Sequence, residues 1–366
     1  MEFSQIKFDC SHFRNDIPCL PNKEHGVQCD NCNHYSPIET RILIIKLGAL
    51  GDVVRTTPII SALRKKYTNS KITWLTHSPD ILERKSIDTI LTYSGEQLFT
   101  LAKQSFDLVI NLDKDKEACI LSNEIKADKK LGYGFENNHI IGYNKAAEQK
   151  IITGLFDSIS KANTKDYVTE IFDICELNYQ DEKYSINQSK ALKEKMQIEV
   201  MQVASLPNSE KPVIGLNTGC GKRWKTRLWP VSYWEDLIRQ LHTQGYRVIL
   251  LGGEEEHDKN QLIALSTGAG YRTFYSLPEF IALCSNVQLI VTQVSMAMHL
   301  ALAVQTKIVL MNNIFNKNEF NLMQLGEIVE PKTGCDCYFG TQCCRKTSCM
   351  YDLSVEQVVQ AIERVV

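Results

Sequence analysis

The sequence predicts an α/β protein made of two halves, each built around a parallel sheet. Three observations carry that prediction. Continuous apolar runs such as Ile42-Leu43-Ile44-Ile45 and Val213-Ile214-Gly215-Leu216 read as strands buried on both faces. Glycine turns follow such runs, at Gly48-Ala49-Leu50-Gly51-Asp52 and at Gly252-Gly253. Helix-opening signatures then follow: Ser232-x-x-Glu235, Ser276-x-x-Glu279 and Ser354-x-x-Gln357 each precede an apolar pattern of helical period.

Taken in order, residues 1–40 are polar, rich in Cys and His, and without periodicity. The first strand begins after Arg41, and a helix runs from the glycine turn to about Lys66. Pro58 interrupts that pattern, either as the first residue of a new helix capped by Thr57 or as a kink. Strands are expected near 71–76, 87–92, 106–111 and 129–133, with helices between them. Asn111-Leu112-Asp113 ends a strand, where α/β proteins place ligand contacts. Residues 137–212 are less patterned, with helices near 147–160 and 189–203. The second half has strands at 213–216, 247–251, 287–291 and 307–311. Its helices follow the capping signatures, follow the acids Glu254 to Glu256, and span 296–303.

Composition narrows the function classes. The chain has 366 residues, 41 Lys and Arg against 43 Asp and Glu, and 43% hydrophobic content. These values exclude disorder, collagen and small disulfide scaffolds, and argue against a bulk nucleic-acid binder. No charged-then-apolar leader opens the sequence, and no run approaches the ~18 apolar residues of a membrane span. Thirteen cysteines are unevenly placed: Cys10, Cys19, Cys29 and Cys32 crowd one end, Cys335, Cys337, Cys343, Cys344 and Cys349 the other. In a cytosolic protein such clusters read as metal or redox sites rather than disulfides. The Cys29-x2-Cys32 knuckle with Cys10 and Cys19 suits tetrahedral zinc, or iron, in a segment with no apolar core of its own. The bland alternative is free thiols on a mobile arm.

Candidate ligand contacts lie in the turns. Gly219-Cys220-Gly221-Lys222-Arg223 is not a Walker A loop, because Leu216 and Arg223 stand where Gly and Ser or Thr are needed. No G-x-G-x-x-G follows a strand. What remains is a glycine loop carrying Arg223, Lys225 and Arg227, which suits an anion or, failing that, is a solvated loop. Asp52 stands at the carboxyl edge of the first sheet, as a functional carboxylate or a helix cap. Ser295 caps a helix in which His299 lies one turn on, either in a site or satisfied within the core.

The segment Ile42-Leu43-Ile44-Ile45-Lys46-Leu47-Gly48-Ala49-Leu50-Gly51-Asp52-Val53-Val54-Arg55-Thr56-Thr57-Pro58 resembles the opening of glycosyltransferase family 9, the lipopolysaccharide heptosyltransferases and their relatives. The resemblance continues through Trp229-Pro230 with Trp234, Leu251-Gly252-Gly253-Glu254, Met298-His299-Leu300-Ala301-Leu302-Ala303, and the Cys-rich tail ending Cys349-Met350. It covers roughly residues 41–366.

The family resemblance implies a GT-B fold: two Rossmann-like domains with parallel sheets facing across a cleft, here with a Cys-rich N-terminal extension. The expected division is 1–40, outside the family core and read from its cysteines as an extension binding metal through Cys10, Cys19, Cys29 and Cys32; and, by the resemblance, 41–205, the acceptor domain; 206–350, the donor domain; and 351–366, a helix crossing back to the acceptor domain. The implied activity is inverting transfer of a sugar from a nucleotide-sugar, with ADP-heptose as donor and a lipopolysaccharide-type glycolipid or other envelope glycan as acceptor. No cofactor is needed for catalysis, so the zinc or iron is structural. The implied location is cytoplasmic, with peripheral contact at the inner membrane, and no nucleic acid is involved. Asp52 is the expected general base, with Lys46 and Gly51 on the acceptor side. Thr218, Gly219, Arg223, Lys225, Arg227, Gly252, Gly253, Glu254, Ser295, Met298 and His299 are expected around the donor. Three positions depart from the family pattern: Arg227 replaces a lysine, Val294-Ser295 replaces an Asp-Thr or Asp-Ser pair, and Asn312-Asn313-Ile314 replaces Gly-Pro-Thr. The lost carboxylate keeps open a second reading, a GT-B protein with another donor or no catalysis.

Overall fold

A computed structural model describes all 366 residues. The chain forms two compact units. The first comprises residues 1–49, 58–152 and 170–182, and the second residues 50–57, 153–169 and 183–366.

The sheet of the first unit contains β1 (Thr40–Ile45), β2 (Ser70–Thr76), β3 (Thr89–Thr92), β4 (Ser105–Asn111), β5 (Lys126–Glu136) and β6 (His139–Gly142). Their order is β3-β2-β1-β4-β5-β6. The first five are parallel and β6 is antiparallel to β5. Ile42 to Ile45 pair with Ile72 to Leu75 on one side and with Leu108 to Asn111 on the other. All four are fully buried, as a central strand covered on both faces requires. Periodicity did not reveal β6, nor the strand Gly326–Val329 of the second unit.

Residues 1–39 are not a loose arm. Cys10 bridges to Pro37, and Ile38 N–H donates to Asp9 carbonyl oxygen at 2.7 Å. A short helix, Leu20–His25, ends on Gly26 at φ +68°, a left-handed cap that glycine adopts without cost.

The second unit has β7 (Val213–Asn217), β8 (Arg247–Leu251), β9 (Leu289–Gln293), β10 (Lys307–Met311) and β11 (Gly326–Val329), ordered β11-β10-β9-β7-β8 and all parallel. The strand order reverses between β7 and β9, and the carboxyl ends there form the natural ligand position of such a sheet. Its core gathers Trp229, Trp234, Leu237, Ile238 and Leu241 against Ile214, Leu216, Val248 and Leu250.

Several expectations need correcting. The last helix, Val355–Val365, expected to cross back to the acceptor domain, belongs to the second unit. It packs on the helix Val231–Thr243 and on β10 and β11, and its buried Val358, Val359, Ala361 and Ile362 join the core of the second unit. Residues 183–205 belong to the second unit, as do 50–57 and 153–169. The helix Val231–Thr243 has Pro230 at its N-cap position, two residues earlier than the Ser232 signature implied. β9 lies at 289–293 rather than 287–291, because Thr292 and Gln293 are polar yet buried. The helix expected to reach Lys66 is two helices, Leu50–Thr56 and Ile59–Lys66. Pro58 has no N–H to give Val54. Thr57 supplies the bond instead, through N–H at 3.1 Å and Oγ1 at 2.7 Å to Val54 carbonyl oxygen. No helix is long and apolar enough to cross a membrane.

Candidate donor site and base

The carboxyl ends of β7 and β8 and the turn after β9 surround a cavity of about 580 Å³. Asn217, Gly219, Cys220 and Gly221 form one wall, and Gly252, Gly253 and Glu254 to Glu256 a second. Ser295, Met296 and Ala297 form a third, where the helix Met296–Ala303 begins. Tyr275, Leu277 and Phe280 add an apolar side, and Leu50 closes the rim.

The walls are tied from beneath. Asn217 Nδ2 donates to Gly219 carbonyl oxygen at 2.9 Å, to Thr292 Oγ1 at 2.8 Å and to Ser295 Oγ at 3.3 Å. One side chain thus joins the turns after β7 and β9. Thr218, fully buried, donates from Oγ1 to Asn260 Oδ1 at 2.6 Å, and Lys259 Nζ donates to Thr218 carbonyl oxygen at 2.9 Å. Burial lowers the pKa of Lys259. Gly253 N–H donates to Glu256 Oε2 at 3.0 Å. A side chain at Gly252 would start 2.7 Å from Glu256 Cβ, so this turn admits only glycine without rearrangement.

Of the residues expected around a donor, Gly219, Gly252, Gly253, Glu254 and Ser295 line this cavity. Thr218 and Met298 are buried beneath it, and Arg223 and Lys225 do not line it. Arg227 is the clearest departure. Its guanidinium is buried and donates to the carbonyl oxygens of Val294 and Cys220, with Nε to Trp224 carbonyl oxygen at 3.2 Å. It therefore holds two loops together rather than presenting its donors to an anion. Burial depresses its pKa. Val294, the position without the family carboxylate, contributes its carbonyl to this clamp. Sequence reading missed Tyr275 and Phe280, although the capping box at Ser276 and Glu279 that positions them was visible.

Asp52 lies in the first turn of the helix Leu50–Thr56, two residues after the rim residue Leu50. Its Oδ1 accepts from Arg55 at 2.7 Å. The helix packs on Met296–Ala303. A side chain at Gly51 would start 2.6 Å from His299 Cδ2, so glycine permits this close approach. His299 is buried, and burial first and the Arg55 cation second push its pKa down to about 3, so the ring is neutral near pH 7. Lys46, in the first unit, is committed to Asp113: Nζ to Oδ2 is 3.1 Å, and the same oxygen accepts from Leu47 and Gly48 N–H at 2.9 and 3.2 Å. Its charge is spent on ordering the turn after β1.

Cys10, Cys19, Cys29 and Cys32 all line a second cavity, of about 460 Å³, within the first unit. They share one chamber with His12 and Tyr35, but no three Cys, His, Asp or Glu side chains are placed as a metal-ligand set. In the tail, Cys337 Sγ lies 3.5 Å from Cys343 Sγ and 3.4 Å from Cys344 Sγ. The Cys349 thiol is lowered to about 6, chiefly by a hydrogen bond from Cys335 and also by Asn313 and Arg345.

The model of "Glycosyltransferase family 9 (heptosyltransferase)" matches residues 98–314, more than half of the chain. The chain is 24% identical over 291 residues to lipooligosaccharide heptosyltransferase 2 of Haemophilus influenzae, covering 73% of this chain and 82% of that one. Among solved structures it is similar to a family 9 glycosyltransferase of Veillonella parvula, with TM-score 0.67, 19% identity, and 89% and 97% of the two chains covered. It is also similar to the ADP-heptose lipopolysaccharide heptosyltransferase II of Escherichia coli, with TM-score 0.64, 16% identity, and 89% and 98% covered. A family match of that length decides the matter, and the chain belongs to glycosyltransferase family 9, the heptosyltransferases, as a glycosyltransferase of the GT-B fold.

Proposed function

We propose that the protein transfers heptose from ADP-heptose to a lipopolysaccharide-type acceptor with inversion, and that Asp52 is the general base. One observation carries this reading: the helix that bears Asp52 also supplies Leu50 to the rim of the cavity. Base and donor chamber are therefore parts of one construction. The names of the Haemophilus and Escherichia relatives support heptose and a lipopolysaccharide or lipooligosaccharide product class.

In this reading Tyr275, Leu277 and Phe280 receive the nucleobase, and Glu254 accepts from ribose hydroxyls. The glycine turns let backbone N–H groups approach the diphosphate, beside the positive end of the helix Met296–Ala303. The acceptor oxygen attacks the anomeric carbon while the bond from that carbon to the β-phosphate oxygen breaks. Asp52 takes the acceptor proton, and ADP leaves with the bonding pair. Charge growing on the diphosphate is met by preorganised N–H donors. Arg227 acts on the donor indirectly, by holding the turn Gly219–Gly221 to Val294. With Val294 in place of a carboxylate, sugar hydroxyls are recognised by other groups, and this is the feature that favours a modified donor as the second reading.

The reaction needs no metal. Cys10, Cys19, Cys29 and Cys32 hold a structural zinc, or iron, and the shared chamber of about 460 Å³ supports that assignment. Binding would draw the four thiolates together, coupling metal affinity to the order of residues 1–39. The enzyme works on the cytoplasmic side, in peripheral contact with the inner membrane that carries its acceptor.

The test is transfer from ADP-heptose to heptose-deficient lipopolysaccharide, followed by mass spectrometry. Asp52→Asn should keep ADP affinity within about twofold and lower turnover by roughly 10²–10⁴-fold. Unchanged turnover in that variant removes Asp52 from the role. Transfer from another nucleotide-sugar in preference to ADP-heptose selects the modified-donor reading.

A further inference from the structure

Two arginines of the second unit, Arg227 buried and Arg55 half-buried, are used in opposite ways. Arg227 spends its donors on backbone carbonyls, as a structural arginine does. Arg55 instead directs its guanidinium at one carboxylate, Asp52, with Nη2 to Oδ1 at 2.7 Å. Its Nε is buried and makes no hydrogen bond. What holds the guanidinium plane is an aromatic face: its central carbon lies 3.4 Å from the centroid of the Tyr167 ring. Arg55 is 16% exposed and Asp52 34%.

We infer that Arg55 is a positioning residue for the proposed base: stacked on Tyr167, it fixes the plane and the ionised form of the Asp52 carboxylate for proton transfer. The inference rests on the reading of Asp52 as base. A carboxylate on a part-exposed helical turn has a rotamer choice, and small misplacement of a reacting group is costly in rate. A guanidinium that cannot itself rotate removes that choice. A lysine would not do so, because its ammonium neither stacks nor sets a plane.

Every element around the pair contributes to its electrostatics. On its own helix there is the Asp52–Arg55 pair alone. The helix Met296–Ala303 presents His299, which Gly51 allows close and which is neutral near pH 7. Tyr167, Glu319 and Tyr184 add further negative or polar influence on Arg55. Burial works against the Arg55 charge, but these groups and Asp52 outweigh it, so Arg55 stays protonated. The competing account is a plain i, i+3 helix pair, which adds slightly to stability and nothing to rate.

The experiment compares Arg55→Gln, Arg55→Lys, Tyr167→Leu and Asp52→Asn in the full chain. The readouts are steady-state kinetics with ADP-heptose and heptose-deficient lipopolysaccharide, ADP affinity by calorimetry, and the titration of Asp52 followed by carboxyl ¹³C resonance. Arg55→Gln should lower kcat by about 10- to 100-fold. ADP affinity should stay within about twofold, and both the acid limb of the rate profile and the Asp52 titration should move to higher pH, because the cation 2.7 Å from the carboxylate is gone. Arg55→Lys should restore most of that pH shift but only part of kcat. Tyr167→Leu, which keeps the charge pair, should lower kcat without moving the titration, and it serves if Arg55→Gln does not fold. Wild-type kcat and an unmoved Asp52 titration in Arg55→Gln, alongside an inactive Asp52→Asn, would leave Asp52 as base and overturn the role of Arg55. Full activity in Asp52→Asn would instead overturn the reading on which the inference rests.

Discussion

Two cavities of this protein have similar sizes and different construction. The proposed donor chamber, at about 580 Å³, stands on strand ends. Beneath it lie the fully buried Leu216, Ile290, Val291 and Thr292, and Asn217, Thr218 and Arg227 bind its turns together. The cysteine chamber, at about 460 Å³, is walled by loops and one short helix, and Pro21 is the sole side chain of that helix to be buried. The difference teaches where order comes from. In the first case the sheet has already met the entropic cost of holding the walls. In the second, residues 1–39 bury little, so the thiols can share a chamber without being fixed as a ligand set.

The largest expected effect breaks the comparison at the cysteine chamber. If a structural metal organises it, removal by a chelator withdraws a contribution on the order of 10 kcal/mol at the site. Residues 1–39 should then become the first site of limited proteolysis, while ADP binding in the other chamber stays within about twofold. Elemental analysis should find about one metal per chain, abolished in Cys29→Ser with Cys32→Ser. Metal-free protein with an equally resistant N-terminus would mean that the loops order themselves.

A smaller effect sharpens the comparison at the donor chamber. Arg227→Ala removes charged hydrogen bonds to Val294 and Cys220 carbonyls and should cost about 1.5–3 kcal/mol of stability in a denaturant titration. ADP affinity should fall with it, because the turn Gly219–Gly221 is released. Undiminished stability with weakened binding would show Arg227 to be a direct phosphate ligand instead.

A third effect is a slope. His299 is neutral in the folded chain down to about pH 3, whereas the unfolded chain protonates it near its usual 6.5. Below that value the unfolded state binds more protons, so stability is lost as pH falls, by about 1.4 kcal/mol per pH unit from this one group. His299→Phe should flatten the stability profile between pH 6 and pH 4 by about that slope. An identical profile in the variant would place His299 in a solvated position.

Legibility in the sequence followed the range of the forces involved. Central strands such as Ile42–Ile45 and the caps at Ser276 and Ser354 depend on neighbours within a few residues, and both were readable. The Thr57–Pro58 break was readable as well, with a new helix as one of its two alternatives, though Pro58 rather than Thr57 takes the cap position. Arg227 was not, since its partners lie 7 and 67 residues away and are main-chain oxygens that no side-chain pattern announces. The last helix has an apolar stripe that says it packs on something, but not that β10 and β11 supply the surface. Five of the residues expected around a donor, read from glycine turns and a helix start, line the chamber, whereas Tyr275 and Phe280 reach it only through the folding of the chain between β8 and β9. The Asp52–Arg55 pair was within reach, at i, i+3 on a predicted helix.

The central claim is that the chamber at β7, β8 and β9 and the carboxylate of Asp52 are two parts of one transfer site. Single-turnover transfer from ADP-heptose, measured side by side with calorimetric ADP binding in wild type and Asp52→Asn, tests it most directly. The account predicts equal ADP affinity in both proteins and a turnover lower by roughly 10²–10⁴-fold in the variant. Equal turnover, or ADP affinity lost together with the carboxylate, would contradict it.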